Sequence, residues 1–261
     1  MGTNPAPQLN RPTVSLATPR SKNIPPVGIV EGKKPHIERM FDAIAPRYDL
    51  LNRVLSAGID QKWRKRVVNL IREIKPEHVL DLATGTGDLA IMAAKMGVPH
   101  VIGADISEEM LAYGRVKVDA RDLKDSVSLQ RGDAENLPFS DHQYDAAMVA
   151  FGVRNFEDLD KGLQEIFRVL RSGGRLVVLE FSRPAAFPIK QLYGFYNRFI
   201  LPGIGKLLSG DSGAYTYLPE SIAVFPEGAA FLDHLKKAGF QQVRDQRLTF
   251  GIASIYVGER P

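Results

Sequence analysis

Cysteine is absent from this chain of 261 residues. Its absence excludes disulfide bonds, zinc sites built from thiolates and catalysis by a cysteine nucleophile. Long apolar runs are absent too, since no stretch approaches the roughly 20 residues that a membrane-spanning helix needs. We therefore expect a soluble protein, although such a protein can still sit on a membrane surface.

Clustered charge is also lacking. The net charge is +4, from 34 basic and 30 acidic residues, and the basic residues are scattered along the chain. In proteins with this balance of basic and acidic residues, a solvated basic surface is commoner than a nucleic-acid site. We therefore expect no nucleic-acid partner. The five histidines show no metal-ligand spacing, and no metal site is predicted.

Residues 1–30 contain six prolines, no acidic residue and no hydrophobic period. This composition predicts a disordered tail. A basic, acid-free stretch is also typical of an organelle transit peptide, but the prolines would break the amphipathic helix that such a peptide forms.

Helical periodicity begins at residue 36. The stretch "HIERMFDAIAPRYDLLNRVLSAG" has apolar residues at helical spacing, interrupted by Pro46, and "QKWRKRVVNLIREI" continues as a third amphipathic helix. We expect residues 31–75 to form an N-terminal helical cap.

After Pro76, short apolar strands alternate with helices. The predicted strands are "HVLDLA", "HVIGAD", "VSLQRGD", "YDAAMVAF" and, after a Gly173-Gly174 turn, "RLVVLEFS". Alternation at this pace predicts a parallel sheet buried on both faces. The last two strands, "QQVRDQRL" and "ASIYVGE", are joined by a tight turn and can only be antiparallel. The predicted fold class is α/β, a mostly parallel seven-stranded sheet ending in an antiparallel hairpin, over residues 76–261.

The stretch "DLATGTGDLA" follows the first strand and places Gly85, Thr86 and Gly87 at its turn. Glycines so spaced let backbone N–H groups approach a ligand at the start of the next helix. Asp105 ends the second strand, where an acid can accept both hydroxyls of a ribose. A nicotinamide dinucleotide and S-adenosyl-L-methionine satisfy these features equally.

Other features favour S-adenosyl-L-methionine. Asp88 opens the helix and Asp81 lies in the strand before it, and negative charge there repels a pyrophosphate but suits a sulfonium. Asp133 could accept from the adenine amino group while the Ala134 N–H donates to a ring nitrogen. No proton-relay group of a dehydrogenase is evident. The sequence thus predicts a class I, Rossmann-like methyltransferase fold, with an NAD-dependent oxidoreductase as the alternative.

Two stretches go beyond the generic cofactor motifs. "YDLLNRVLSAGIDQKW" (48–63) and "RVLRSGGRLVVLEFS" (168–182) resemble the two signatures of the quinone-biosynthesis C-methyltransferases, and "FGVRN" and "YLPESI" are similar as well. That family methylates demethylmenaquinol or a polyprenyl-methoxy-benzoquinol. The resemblance implies that Thr86, Asp105, Asp133 and Ala134 contact the cofactor. Asp60 departs from the pattern, which usually has histidine there, and Ala150 occupies a position that is often serine.

Methyl transfer to a quinol carbon requires loss of a phenolic proton. The resemblance suggests that Arg154 polarises the phenolate or organises a water, since an arginine cannot be a free base. The alternative is that Arg154 only forms a structural ion pair. Tyr48 begins a helix that would close over the site, and Asp49 and Asn155 are further candidates for the proton acceptor. Asn155 could instead cap the following helix.

The expected function is C-methylation of a prenylated quinol, demethylmenaquinol in the first place, in menaquinone or ubiquinone biosynthesis. The alternatives are a methyltransferase of another lipid, the oxidoreductase, and a cofactor-binding subunit without activity. We expect residues 187–225 to form a substrate-side insertion. Its first part (187–210) is rich in aromatic and aliphatic residues and could cover a pocket, pack on the core or lie in a membrane interface. A bacterial cytoplasmic enzyme, peripheral to the inner membrane and open to homo-oligomerisation, fits these features.

Overall fold

The computed structural model describes residues 32–196 and 213–261, with side chains from 217 onward in the second range. The predicted tail at 1–30 and residues 197–212 of the predicted insertion lie outside this description. The strands of the described residues are β1 (His78–Leu82), β2 (His100–Asp105), β3 (Val127–Arg131), β4 (Tyr144–Ala150), β5 (Leu170–Phe181), β6 (Gln241–Leu248) and β7 (Ala253–Glu259).

These strands form one seven-stranded sheet with the order β3-β2-β1-β4-β5-β7-β6. Strands β1 to β5 are parallel, and β7 pairs antiparallel with both β5 and β6. The predicted fold class is confirmed. The strand order reverses between β1 and β4, and ligands of such sheets bind beyond the carboxyl ends of the strands at that point.

The helices run mostly where the periodicity predicts them. They are α1 (Lys33–Ile44), α2 (Tyr48–Ser56), α3 (Ile59–Arg72), α4 (Asp88–Lys95), α5 (Glu108–Asp119), α6 (Leu159–Val169), α7 (Ile189–Phe195), α8 (Gly213–Val224) and α9 (Ala229–Lys237). A 3-10 turn (Ala45–Arg47) containing Pro46 separates α1 from α2. Gly58, with φ +75°, allows the chain to turn sharply between α2 and α3.

Two predicted boundaries are wrong. The sequence pattern predicts a helix over Glu108–Leu123, but α5 ends at Asp119, since Asp122 has a left-handed backbone that no helix continues. Strand β5 begins at Leu170, before the predicted Gly173-Gly174 turn, because Leu170 already pairs with Tyr144 across an irregular register in β4. Gly173, with φ +78°, bends the chain there, so the predicted turn is present as a bulge within β5.

The sheet is buried on both faces, as predicted. Helices α3, α4 and α5 cover one face, where Ile71, Leu89 and Leu111 are completely or almost completely buried. Helices α6 and α9 cover the other face with a second cluster that includes Ile166 and Phe231. Apolar burial of this extent is the main stabilising contribution to such a fold.

Helices α1 and α2 lie across the carboxyl ends of β1, β2 and β3. Lys34 contacts Asp133 after β3, and Asp42 contacts Ser107 after β2. Tyr48, the first residue of α2, lies beside Gly85 after β1. Within residues 32–196 and 213–261, no helix combines the length and apolar character needed to cross a membrane.

Candidate active site

The turn after β1 is shaped by its glycines and by a buried carboxyl group. Gly85 and Gly87 have φ values of +56° and +76°, which glycine adopts without steric cost. The Asp81 Oδ2 atom accepts hydrogen bonds from the Thr84 hydroxyl at 2.6 Å and from the Ala90 N–H at 3.0 Å. Asp81 therefore holds the turn in place, and burial raises its pKa from 3.8 to about 7.

The first electrostatic argument from the sequence needs correction. Asp81 is buried beneath the turn and bound to it, and Lys117 donates to the Asp88 carboxylate at the start of α4. Neither residue lines the cavity next to the turn. These two acids thus do not select the ligand.

The carboxyl ends of β1, β2 and β3 surround a small cavity that we call the cofactor cavity. Gly85, Asp105, Asp133 and Ala134, four of the six predicted cofactor residues, line it. Asp105 accepts hydrogen bonds from the Gly85 N–H at 2.8 Å and from the Ser107 N–H at 2.9 Å. Burial raises the pKa of the Asp105 carboxyl. The two backbone donors fix its orientation at the cavity wall.

Asp133 is held from the opposite side by the cap. The Lys34 ammonium group on α1 donates to Asp133 at 2.7 Å and pairs with Glu135 at 2.9 Å. The Asp133 side chain also accepts from the Glu135 N–H. No pattern in the sequence pointed to Lys34, because it lies 99 residues from its partner.

Thr86 and Gly87 are not among the residues lining the cofactor cavity. The Thr86 hydroxyl donates to Asp49 at 2.6 Å, and the Lys117 ammonium group donates to Thr86 and to Asp49. Asp49 therefore lies in this cluster and is not among the residues that line the cofactor cavity. Contact of Thr86 and Gly87 with the cofactor stays a prediction.

A second and larger cavity, the apolar cavity, adjoins the first. Its volume is about 690 Å³, and the two cavities share Phe41, Tyr48 and Phe151 as lining residues. The apolar cavity is enclosed mainly by aliphatic and aromatic side chains, among them Ile44, Leu51, Leu55, Trp63, Phe181 and Ile222.

Phe151 stands at the junction of the two cavities in an uncommon backbone conformation. Its φ is +61°, which is costly for a bulky side chain and is found mostly where function requires it. The Phe151 ring stacks on Phe181 with the centroids 4.4 Å apart. The strained backbone thus directs an aromatic ring into the wall between the cavities.

Arg154 lines the apolar cavity rather than the cofactor cavity, and it also forms an ion pair. Its Nη1 atom donates to Glu180 Oε1 at 2.8 Å and to the Phe151 carbonyl, and the Arg154 side chain is only 7% exposed. Glu180 is completely buried and accepts a further bond from the Phe181 N–H. Burial raises the pKa of Glu180, while the charge of Arg154 acts in the opposite direction. The reactive and the structural interpretations of Arg154 are therefore compatible.

The sequence reasoning missed Glu180. The available signal was an acidic residue inside the otherwise apolar run "LVVLEF" at the carboxyl end of a central strand. Such a residue is almost never fully buried without a partner. Its partner could not be read from the pattern.

Tyr48 lines both cavities, and Asn155 lines the cofactor cavity. Burial raises the pKa of the Tyr48 hydroxyl, which favours its protonated form, and a role for Tyr48 in catalysis stays a prediction. The Asn155 side chain accepts from the Tyr217 hydroxyl at 3.0 Å. The cap of α6 is Asp158, which accepts from the Lys161 N–H, so Asn155 is not the helix cap.

The lining of the cofactor cavity suits a cationic nucleoside better than a pyrophosphate. Among the described lining residues are three carboxylates, and the single cation, Lys34, is already paired with two of them. No phosphate-binding cation remains free there among these residues. In the described residues there is also no cluster of histidine and acidic side chains that could hold a metal ion.

Comparison with known proteins agrees with this geometry. The chain is 48% identical to a demethylmenaquinone methyltransferase of Bacteroides fragilis over 88% of its own length and 95% of that protein. It is 51% identical to a demethylmenaquinone methyltransferase of Thermus thermophilus, over 85% and 100% of the two chains. It is 44% identical to the ubiquinone/menaquinone biosynthesis C-methyltransferase UbiE of Geobacter sulfurreducens, over 87% and 90%.

Solved structures share the fold at low sequence identity. A SAM-dependent methyltransferase of Thermotoga maritima, described as a possible histamine N-methyltransferase, superposes with a TM-score of 0.59 at 20% identity, over 87% of this chain and 100% of that one. The predicted class I methyltransferase fold is thereby confirmed.

The family model of the "ubiE/COQ5 methyltransferase family" matches residues 29–260, which is most of the chain. This match confirms the resemblance seen in the two signatures and the prediction of S-adenosyl-L-methionine as the cofactor, in preference to a nicotinamide dinucleotide. The protein is a C-methyltransferase that uses this cofactor, and the chain belongs to the ubiE/COQ5 methyltransferase family.

Proposed function

We propose that this protein methylates a ring carbon of a prenylated quinol, with demethylmenaquinol as its substrate. The observation that carries the proposal is the junction of the two cavities, where Tyr48 and Phe151 line the small cavity that contains Asp105 and Asp133 on one side and a large apolar chamber on the other. A cofactor and an apolar ring can meet at this junction without water between them.

The residues of the cofactor cavity would hold the adenosyl group. Asp105 can accept both ribose hydroxyls, and Asp133 with the Ala134 N–H can bind the adenine edge. When bound, S-adenosyl-L-methionine supplies an electrophilic methyl group. The carboxylates that line the cavity favour its positive charge.

Arg154 would act on the substrate. A quinol carbon becomes nucleophilic as the adjacent hydroxyl gives its proton to a water held by the guanidinium group, and the fixed cation lowers the pKa of that hydroxyl. The ring carbon that accepts the methyl group then releases its own proton to water. The guanidinium group remains charged at any working pH, and Glu180 holds it at the cavity wall. The stacked rings of Phe151 and Phe181 exclude bulk water from the same wall and so strengthen the electrostatic effect.

The isoprenoid tail of the substrate would occupy the apolar cavity. Leu192 and Phe195 of α7 line this cavity and are also 61% and 56% exposed, and the nearby Phe187 is 82% exposed. Exposed apolar residues beside an apolar opening are typical of a contact with another apolar surface. This supports entry of the tail from a membrane, with the protein bound peripherally.

The identity of the head group rests on the relatives. The two cited relatives at 48% and 51% identity are named demethylmenaquinone methyltransferases, and the chain covers nearly all of both. We therefore propose a naphthoquinol in preference to a benzoquinol.

The test uses the full chain with S-adenosyl-L-methionine and a short-chain demethylmenaquinol kept reduced under anaerobic conditions. We expect one methyl group on the ring by mass spectrometry and an equal amount of S-adenosylhomocysteine. The oxidised quinone is the matched control and should not react, since it has no phenolic hydroxyl. Methylation of a sterol or fatty acyl chain, with no methylation of the quinol, would overturn the proposal.

A further inference from the structure

A second buried arginine lines the apolar cavity. Arg64 lies on α3 and is only 6% exposed, and its side chain faces the cavity together with Tyr48 and Asp60. Within the described part of the chain, the Arg64 Nε atom is buried and has no hydrogen-bond partner. Buried donors without a partner are rare in proteins, because each one costs the hydrogen bonds that it made to water.

The neighbouring carboxylate neutralises Arg64 without satisfying it. The Arg64 Nε atom is 3.5 Å from Asp60 Oδ2, too far for a good hydrogen bond. Asp60 is instead occupied by the Ser56 hydroxyl at 2.7 Å and the Gln61 amide at 3.0 Å. The charge is therefore tolerated in the wall of the cavity, and the terminal Nη donors of Arg64, which have no hydrogen-bond partner among the described residues, remain available to a ligand there.

Arg64 and Arg154 are arranged about the same aromatic pair. The guanidinium carbon of Arg64 is 5.5 Å from the centroid of Phe151, and that of Arg154 is 5.6 Å from the centroid of Phe181. One cation thus accompanies each ring of the stack at the junction of the cavities. Both cations also oppose the rise in the pKa of Tyr48, so both lie within electrostatic reach of its hydroxyl.

We infer that Arg64 donates a hydrogen bond to the second oxygen of the quinol ring, the one para to the oxygen at Arg154. The inference rests on the proposed function. A 1,4-quinol carries two oxygens at opposite ends of its ring, and only one of them adjoins the carbon that is methylated. The second oxygen does not need to ionise for the reaction, but in an apolar cavity it needs a partner. Arg64 meets this need and selects ring substrates with two oxygens over those with one.

The ion pair of Asp60 with Arg64 also gives a physical role to a departure from the family signature. Asp60 stands where histidine is usual, and it supplies a negative charge one helical turn before Arg64. A histidine in this place would be neutral or positive and could not balance a buried guanidinium group. The Asp60 side chain therefore keeps the buried guanidinium electrically balanced while leaving its Nε donor unfilled.

The experiment compares two reduced probes with the same short tail. One is the short-chain 1,4-naphthoquinol, and the other is the naphthol that keeps only the hydroxyl next to the methylated carbon. Their dissociation constants are measured by anaerobic calorimetry with S-adenosylhomocysteine bound. A site that hydrogen-bonds a hydroxyl through a charged donor rejects the analogue that lacks it, so the natural chain should prefer the quinol about 10-fold to 100-fold.

Arg64→Met should abolish this preference. It should weaken the binding of the quinol and change the dissociation constant of the naphthol by no more than about threefold, as expected for removal of one hydrogen bond. Arg66→Met is the matched control, because Arg66 lies on the exposed side of the same helix, and the preference should be unchanged. If Arg64→Met does not fold, the double variant Asp60→Asn/Arg64→Met removes both charges and should also lose the preference.

Equal affinity of the natural chain for the two probes would overturn the inference, as would parallel weakening of both probes in the folded Arg64 variants. Failure of the proposed function has a different signature, since the natural chain would then neither bind nor methylate either probe while still binding S-adenosylhomocysteine.

Discussion

The two cavities at the carboxyl edge of the sheet differ in size and in the sign of their charge. The cofactor cavity is small and lined by carboxylates, whereas the apolar cavity is large and has two buried arginines in its wall. The first suits a sulfonium cofactor, and the second suits an oxygen that becomes negative during reaction. Tyr48 and Phe151 form an aromatic boundary between the carboxylates of the cofactor cavity and the arginines of the apolar cavity. The cofactor and the substrate would meet at this boundary.

The comparison also shows why each cavity balances its charges differently. The carboxylate of Asp105 is stabilised by backbone N–H groups of the strand ends. The guanidinium groups of Arg64 and Arg154 each have a buried carboxylate nearby, because an uncompensated buried cation would be expensive. In the cofactor cavity backbone donors hold Asp105 and an ion pair with Lys34 holds Asp133, whereas each arginine of the apolar cavity is balanced by a carboxylate.

The largest expected effect is that of Arg154→Ala, which removes the cation that we propose lies next to the reacting oxygen. Turnover should fall about 10²-fold to 10³-fold, as when one transition-state donor is removed. The affinity for S-adenosylhomocysteine should stay within about twofold by calorimetry, because that ligand has no phenolate. Arg154→Lys should rescue only part of the activity, since an ammonium group lacks the planar fork of donors.

Arg154→Ala also leaves Glu180 buried without its partner. The double variant Arg154→Ala/Glu180→Gln should therefore melt at a higher temperature than the single variant. A loss of cofactor affinity in step with the loss of turnover would contradict the division of roles between the two cavities.

A smaller effect is expected for Glu180→Gln, which keeps Arg154 but weakens its attachment. The maximal rate should fall about 10-fold to 100-fold, because a small misplacement of a catalytic group has a cost of this order. The KM for the cofactor should hardly change. Steady-state kinetics with each substrate varied in turn separates the two parameters, and an equal change in both KM values would indicate a general disturbance of the fold.

On the cofactor side, Asp105→Ala should weaken the binding of S-adenosylhomocysteine by about 1–3 kcal/mol, since two ribose hydroxyls lose a charged acceptor. The affinity for a quinol probe should be nearly unaffected when the cofactor is saturating. Calorimetry checks both values, and NADH should bind neither form of the protein. An unchanged dissociation constant would show that Asp105 does not hold the ribose.

The smallest effect on turnover is expected for Asp81→Asn, because Asp81 lines neither cavity. The pKa of Asp81 is raised to about 7 from 3.8, so the folded state holds a proton that the unfolded chain has released. Its contribution to stability is complete below about pH 4 and is lost as the pH rises towards 7. Asparagine does not titrate, so the variant should gain stability relative to the natural chain over this interval.

Urea unfolding at several pH values from 4.5 to 8 measures the difference in the free energy of unfolding between the two chains. We expect it to be on the order of a few kcal/mol. The difference should level off above pH 7. A constant difference over the whole range would contradict the raised pKa of Asp81.

The sequence by itself determined the sheet, the glycine turn and the cofactor side of the site. Parallel strands that alternate with helices bring their carboxyl ends to one edge, so Gly85, Asp105 and Asp133 had to meet there. Local sequence patterns were enough for this prediction, because each of these residues lies at the end of its own strand or just after it. The signatures likewise indicated the family before any contact was known.

Only the tertiary structure decided which charges pair. Glu180 binds Arg154, Lys34 binds Asp133, and Arg64 enters the apolar cavity, each through contacts between separate elements or across a helical turn that periodicity does not resolve. An amphipathic pattern says that a helix has a buried face, but not which polar side chain at its margin will be buried, with which partner. That choice depends on how α1, α2 and α3 pack over the sheet. A charged side chain that becomes buried loses its water and then needs an opposite charge, a hydrogen bond or a ligand.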